Sequence, residues 1–70
     1  MMPLMIAPAG EEQLIKKIGG KPETRQFLEN LGLVPGGNVT VVTEINGNLI
    51  VQVKDSRIAI SKEMANKILV

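Results

Sequence analysis

The chain has 70 residues, a formal charge of +1, no Cys, no His and one aromatic residue, Phe27. That length admits one domain spanning 1–70; the missing Cys and His exclude disulfides and thiolate or imidazole metal staples, and the charge gives no electrostatic reason to expect nucleic acid or an anionic membrane surface as partner. A domain this small buries only ~60% of the surface its unfolded chain exposes, so stability must come from the aliphatic residues that dominate its 44% hydrophobic content, with self-association as a further source.

Met1 to Pro8 is apolar, with Leu4 and Ile6 alternating with their neighbours. The stretch is shorter than a membrane span and lacks the basic region and cleavage site of a signal peptide. The expectation is a cytoplasmic protein with no direct membrane insertion. Pro8-Ala9-Gly10-Glu11 reads as a turn, and Glu12 to Ile18 as a strand with Leu14 and Ile18 on one face and Ile15 on the other. Gly19-Gly20 ends it.

Pro22 suits a first helical turn, where its missing N–H is not needed, and Glu23 favours the positive end of the helix dipole. The helix is expected to run to Leu31, with Phe27, Leu28 and Leu31 forming its core face. Gly32 is placed as a left-handed C′ residue, followed by Leu33 in contact with Leu28, the Schellman ending. Pro35-Gly36-Gly37 then forces a turn.

Val39, Val41 and Ile45, and after them Leu49, Val51 and Val53, have the period of two of half-buried strands. A three-residue loop over 46–48 pairs Ile45 with Leu49, Thr43 with Val51 and Val41 with Val53, which keeps all the apolar residues on one face. The next turn, Asp55-Ser56, is expected to pair Val53 with Ile58 and Val51 with Ile60. Ser61 caps a second helix from Lys62 to about Lys67, with Met64, Ala65, Ile68 and Leu69 inward. Residues 68–70 end either in that helix or as a last strand, and three residues of pattern do not decide. About five short strands with one continuous apolar face and two short helices predict a mainly β protein closed into a small SH3-like β-barrel.

No catalytic apparatus stands out. Ser56 and Ser61 read as turn and cap residues, and no base is available to activate them. The glycine pairs at 19–20 and 36–37 lack the following Lys-Ser/Thr of a phosphate loop. The expectation is therefore no enzyme, no catalytic residue and no cofactor. The side chains left to hold a divalent cation are Glu11, Glu12, Glu23, Glu29, Glu44, Asp55 and Glu63. These spacings read as solvated carboxylates, so metal is expected to bind weakly if at all. Lys16, Lys17 and Lys21 form the densest basic group, without the stacking aromatics of nucleic-acid modules.

With the strand aliphatics committed to the core, a recognition surface must come from the first helix and the turn after it. Arg25, Gln26, Glu29, Leu33 and Val34 are the candidate partner-binding residues; Arg25 and Glu29, four apart, share a helix face.

The chain resembles the FeoA family along essentially its whole length. The resemblance rests on Ala7-Pro8 with Gly10-Glu11; on Leu28, Leu31-Gly32-Leu33, Pro35-Gly36, Val39 and Val41; and on Ile60-Ser61-Lys62-Glu63-Met64-Ala65 with Ile68 and Val70. It implies an SH3-like barrel, a cytosolic location, family-level binding of transition metal ions, and an accessory role in ferrous iron transport. The implied partner is FeoB, a membrane transporter with a cytosolic G-domain. The matched positions are glycines, prolines and core aliphatics, so the resemblance names no site. The competing reading is a small nucleic-acid- or ribosome-associated barrel.

Overall fold

Two small antiparallel sheets share one apolar core in the computed structural model, which describes residues 1–70. The elements in chain order are a 3₁₀ turn (Leu4–Ile6), β1 (Glu12–Leu14), β2 (Lys17–Ile18), α1 (Pro22–Asn30), β3 (Asn38–Ile45), β4 (Asn48–Val53), β5 (Ser56–Ser61), α2 (Lys62–Ala65) and β6 (Ile68–Leu69). The four-stranded sheet has the order β1-β3-β4-β5, and β2 pairs with β6 in the second. The chain is mainly β with two short helices, as the apolar pattern predicts, and has six strands rather than about five.

The expected strand over 12–18 is two strands. Glu12–Leu14 pairs with β3, whereas Lys17–Ile18 pairs with β6. Between them the Ile15 N–H donates to the Gly37 carbonyl and its carbonyl accepts from the Gly36 N–H, both at 2.8 Å. One residue later the Lys16 N–H donates to the Leu69 carbonyl, also at 2.8 Å. The segment thus leaves one sheet and enters the other, and this passage resets the alternation. Ile15 and Ile18, expected on opposite faces, are both buried, while Leu14, expected on the same face as Ile18, is 51% exposed.

The central hairpin reaches the expected burial by another route. Its turn has two residues, not three: Ile45 pairs with Asn48, with Asn46 at φ 49° and Gly47 at φ 81°. These are the positive angles of a primed hairpin turn. Continued unbroken, this register would turn Val39 and Val41 outward. A β-bulge between Val41 and Thr43 restores them by placing Val41 opposite Val51. Ile45 lies beyond this correction, at the hairpin tip, and is 52% exposed instead of buried. The second hairpin also turns one step earlier than expected, at Lys54-Asp55, pairing Val53 with Ser56, Val51 with Ile58 and Leu49 with Ile60. That slip is two residues, so the faces are unchanged. Ile60 is buried and Ile58 half-buried.

α1 ends as its sequence dictates. The Leu33 N–H donates to the Leu28 carbonyl and the Gly32 N–H to the Glu29 carbonyl, both at 2.9 Å. These are the two bonds of a Schellman motif, and Leu28 and Leu33 are both fully buried. Phe27, expected in the core, is instead 47% exposed. The inward line of α1 runs through half-buried Thr24, buried Leu28 and, at the C-cap, half-buried Leu31, an i, i+4, i+7 stripe with Phe27 at its edge. α2 is capped by Ser61, whose Oγ accepts from the Met64 N–H at 3.2 Å. It stops at Ala65, short of Lys67, which frees Ile68 to pair with Ile18 in β6. Met2 and Val70 then exchange two backbone hydrogen bonds of 2.8 Å each, extending that small sheet.

Two substitutions check this packing. Gly32 has φ +95°, and a Cβ there would meet Val53 Cγ1 at 3.1 Å. A β-branched residue is strained at positive φ, so Gly32→Val should lower stability by about 2 kcal/mol or more; an unchanged melting temperature would remove the cap assignment. Leu28→Ala should cost about 2–5 kcal/mol as a buried truncation. Phe27→Ala should cost distinctly less in the same denaturant titration.

Candidate partner-binding cleft

The ending of α1 also shapes a cleft. After Gly32, residues Val34 to Gly37 form a turn in which the Gly37 N–H donates to the Val34 carbonyl at 3.0 Å and Gly36 has φ 89°. Proline followed by a positive-φ glycine is the chemistry of a type II turn. The turn returns the chain to Ile15 and sets Pro35 near Lys16 to Ile18. α1 forms the facing wall, beginning at Pro22. The half-open space between them is about 500 Å³, bordered by Lys16, Lys17, Ile18, Pro22, Arg25, Gln26, Glu29, Leu33 and Pro35.

Four of the five sequence-nominated residues meet there. Arg25, Gln26 and Glu29 project from the exposed side of α1 into the cleft. Leu33 lies beneath it and is fully buried, so it supports the floor and offers no surface of its own. Val34 is half-buried and does not border the space. Missed by sequence reasoning were Lys16 and Lys17 as the opposite wall. Their clustering was visible, but their position across from Arg25 depends on the passage at Ile15 between sheets, a non-local event.

The polar groups of the cleft are largely free. Gln26 Nε2 donates to Asn30 Oδ1 at 3.0 Å. Arg25 and Glu29 form no ion pair despite their spacing; the one ion pair within 4.0 Å joins Lys62 Nζ to Glu44 Oε2 at 2.9 Å, on another part of the surface. No side-chain polar atom is buried without a partner. A second hollow of about 350 Å³, beside Glu12, Thr40, Gln52 and Lys54, carries mixed polar groups. No three acidic side chains gather anywhere in a geometry that would hold a metal ion. No helix is long and apolar enough to cross a membrane.

The FeoA domain family matches residues 2–70. The chain belongs to the FeoA family. Among its relatives, the "Putative Fe(2+) transport protein A" of Methanocaldococcus jannaschii is 39% identical over all of this chain and 85% of that one. The crystal structure of an iron uptake regulatory protein, FeoA, superposes with a TM-score of 0.87 at 29% identity, covering 96% of this chain and 91% of that one. The FeoA of Stenotrophomonas maltophilia complexed with zinc, described as an SH3-domain protein, gives a TM-score of 0.83 at 23% identity, over 99% of this chain and 88% of that one. The SH3-like barrel expected from the strand pattern is thus the architecture of the FeoA family.

The scattered carboxylates lead to a direct expectation. Mixed anaerobically with Fe²⁺ and passed through a gel-filtration column, the protein should elute with far less than one iron per chain, because hard, dispersed oxygen donors hold transition metals weakly. A stoichiometric complex would require carboxylates from more than one molecule.

Proposed function

We propose that this FeoA-family chain is a cytoplasmic accessory protein of ferrous iron uptake that binds the cytosolic region of the membrane transporter FeoB, at its G-domain, and alters its activity. It works by binding, with no catalytic residue and no resident cofactor; Fe²⁺ is the transporter's cargo. Family membership and the name carried by the Methanocaldococcus jannaschii relative support the connection with iron transport. The observation that carries the binding reading is the cleft between α1 and β2, where Arg25, Gln26 and Glu29 face Lys16 and Lys17 with no ion pair among them. Charged groups left unpaired around a concavity of this size suit a modest, reversible protein interface. A nucleic-acid role lacks the stacking platform such modules use, since the sole aromatic residue, Phe27, does not border the cleft.

The test measures binding to FeoB, as its cytosolic region and at full length, together with GTP turnover. Wild-type protein should bind and change turnover, and the charge reversal Arg25→Glu should weaken binding by about tenfold, the scale of one lost charge-assisted contact. Failure of the wild-type protein to bind at tens of micromolar, alongside RNA or DNA binding at physiological salt, would replace this reading with the nucleic-acid one.

A further inference from the structure

The charge of this small protein is unevenly distributed. Lys16, Lys17 and Arg25 border the cleft against the single carboxylate of Glu29, a local charge of +2. The whole chain carries only +1, so everything outside the cleft sums to −1. None of the three cations has a hydrogen-bonding or ion-pairing side-chain partner within the chain. Outside the cleft Lys62 is held by Glu44 and the Arg57 Nε–H donates to Gln52 Oε1 at 3.0 Å, while Lys21, Lys54 and Lys67 are unpaired like the cleft cations; what sets the cleft apart is that three free cations border one concavity.

We infer that the cleft receives a short acidic peptide segment of a protein partner, its carboxylates held by Lys16, Lys17 and Arg25. This rests on the reading above that the cleft meets a protein. The chemistry of the walls supports an extended peptide in particular. Arg25 presents a planar fork that matches a carboxylate in a bidentate arrangement, while the two lysines act as point charges across from it. Pro22 and Pro35 border the same space with rigid apolar rings and no backbone N–H, surfaces on which the aliphatic part of a peptide can lie. Glu29, one turn along α1 from Arg25, gives the cleft polarity, because an acidic segment must place its carboxylates away from it. A nucleic-acid strand, with a charge at every phosphate, would meet Glu29 whichever way it ran.

The probe is an acetylated peptide of alternating Asp and Glu, titrated into isotopically labelled protein and followed by backbone amide NMR, with a Lys-containing peptide and oligo-dT as comparison arms. The acidic peptide should shift the amides of Lys16, Lys17, Arg25 and Gln26 at millimolar concentration or below, and its affinity should fall several-fold between 50 and 200 mM salt. The double substitution Lys16→Glu/Lys17→Glu should abolish the shifts. Both lysines are exposed, so the remaining spectrum should report an intact fold. Glu29→Gln should tighten binding about two- to threefold, a gain that a merely disruptive change would not produce. Shifts located elsewhere, no shifts at all, or preferential binding of oligo-dT would each overturn the inference. Its failure is separable from failure of the transporter reading. FeoB binding that the double substitution leaves unchanged would sink the acidic-segment assignment alone, and a peptide that binds where FeoB does not would sink only the transporter.

Discussion

Ile15 is gripped from both sides. Its backbone exchanges hydrogen bonds with Gly36 and Gly37, its side chain is 1% exposed, and the residue after it is bonded to Leu69 of the other sheet. Without this hand-over, β1 and β2 would be one strand at the edge of one sheet, with a row of backbone groups open to other chains. With it, the chain crosses from one sheet to the other and covers the Leu4, Leu28, Val51 and Ile68 core from both. The same crossing carries Lys16 and Lys17 away from β3 and toward α1, so closure of the barrel and opening of the cleft have one cause.

The other supports of the cleft are equally local and stiff. The Schellman ending fixes the direction in which the chain leaves α1, and the proline turn returns it to Ile15 within a few residues. Backbone hydrogen bonds therefore hold both walls, while the polar ends of Arg25, Gln26 and Glu29 remain exposed. Such a site holds its charges on a fixed frame beside the apolar rings of Pro22 and Pro35, and charge placement of this kind sets orientation and encounter rate more than raw affinity.

What could be read from the sequence follows the range of the interactions concerned. The Gly32 ending, the Ser61 cap and the Pro35-Gly36 turn depend on neighbours a few residues apart, and each is legible. The period-two burial of Val39, Val41, Leu49, Val51 and Val53 is legible too, because burial enforces it. The means of enforcing it were not: a shorter turn with a bulge at Val42 gives the same inner face as a longer loop, and pattern alone does not separate them. Phe27 and Ile45 are expected in the core because they are apolar and suitably spaced. A barrel this small has too little interior for every such residue, and those at its margins stay half in water. The candidate site divided along the same line: its α1 face was visible as a helical stripe, and its lysine wall required the tertiary fold.

The paired backbones of Met2 and Val70 give the barrel the connectivity of a closed ring. Joining these two positions by a short linker and opening the chain at the exposed Asn46-Gly47 turn would leave the ladders of both sheets with the same partners, since that turn makes no contribution to the core. For the same reason the barrel can sit inside a longer polypeptide as a single excursion, leaving its host and returning to it at nearly one point. The host's two attachment points need not move apart to admit it, so such an insertion would leave the geometry on either side almost undisturbed.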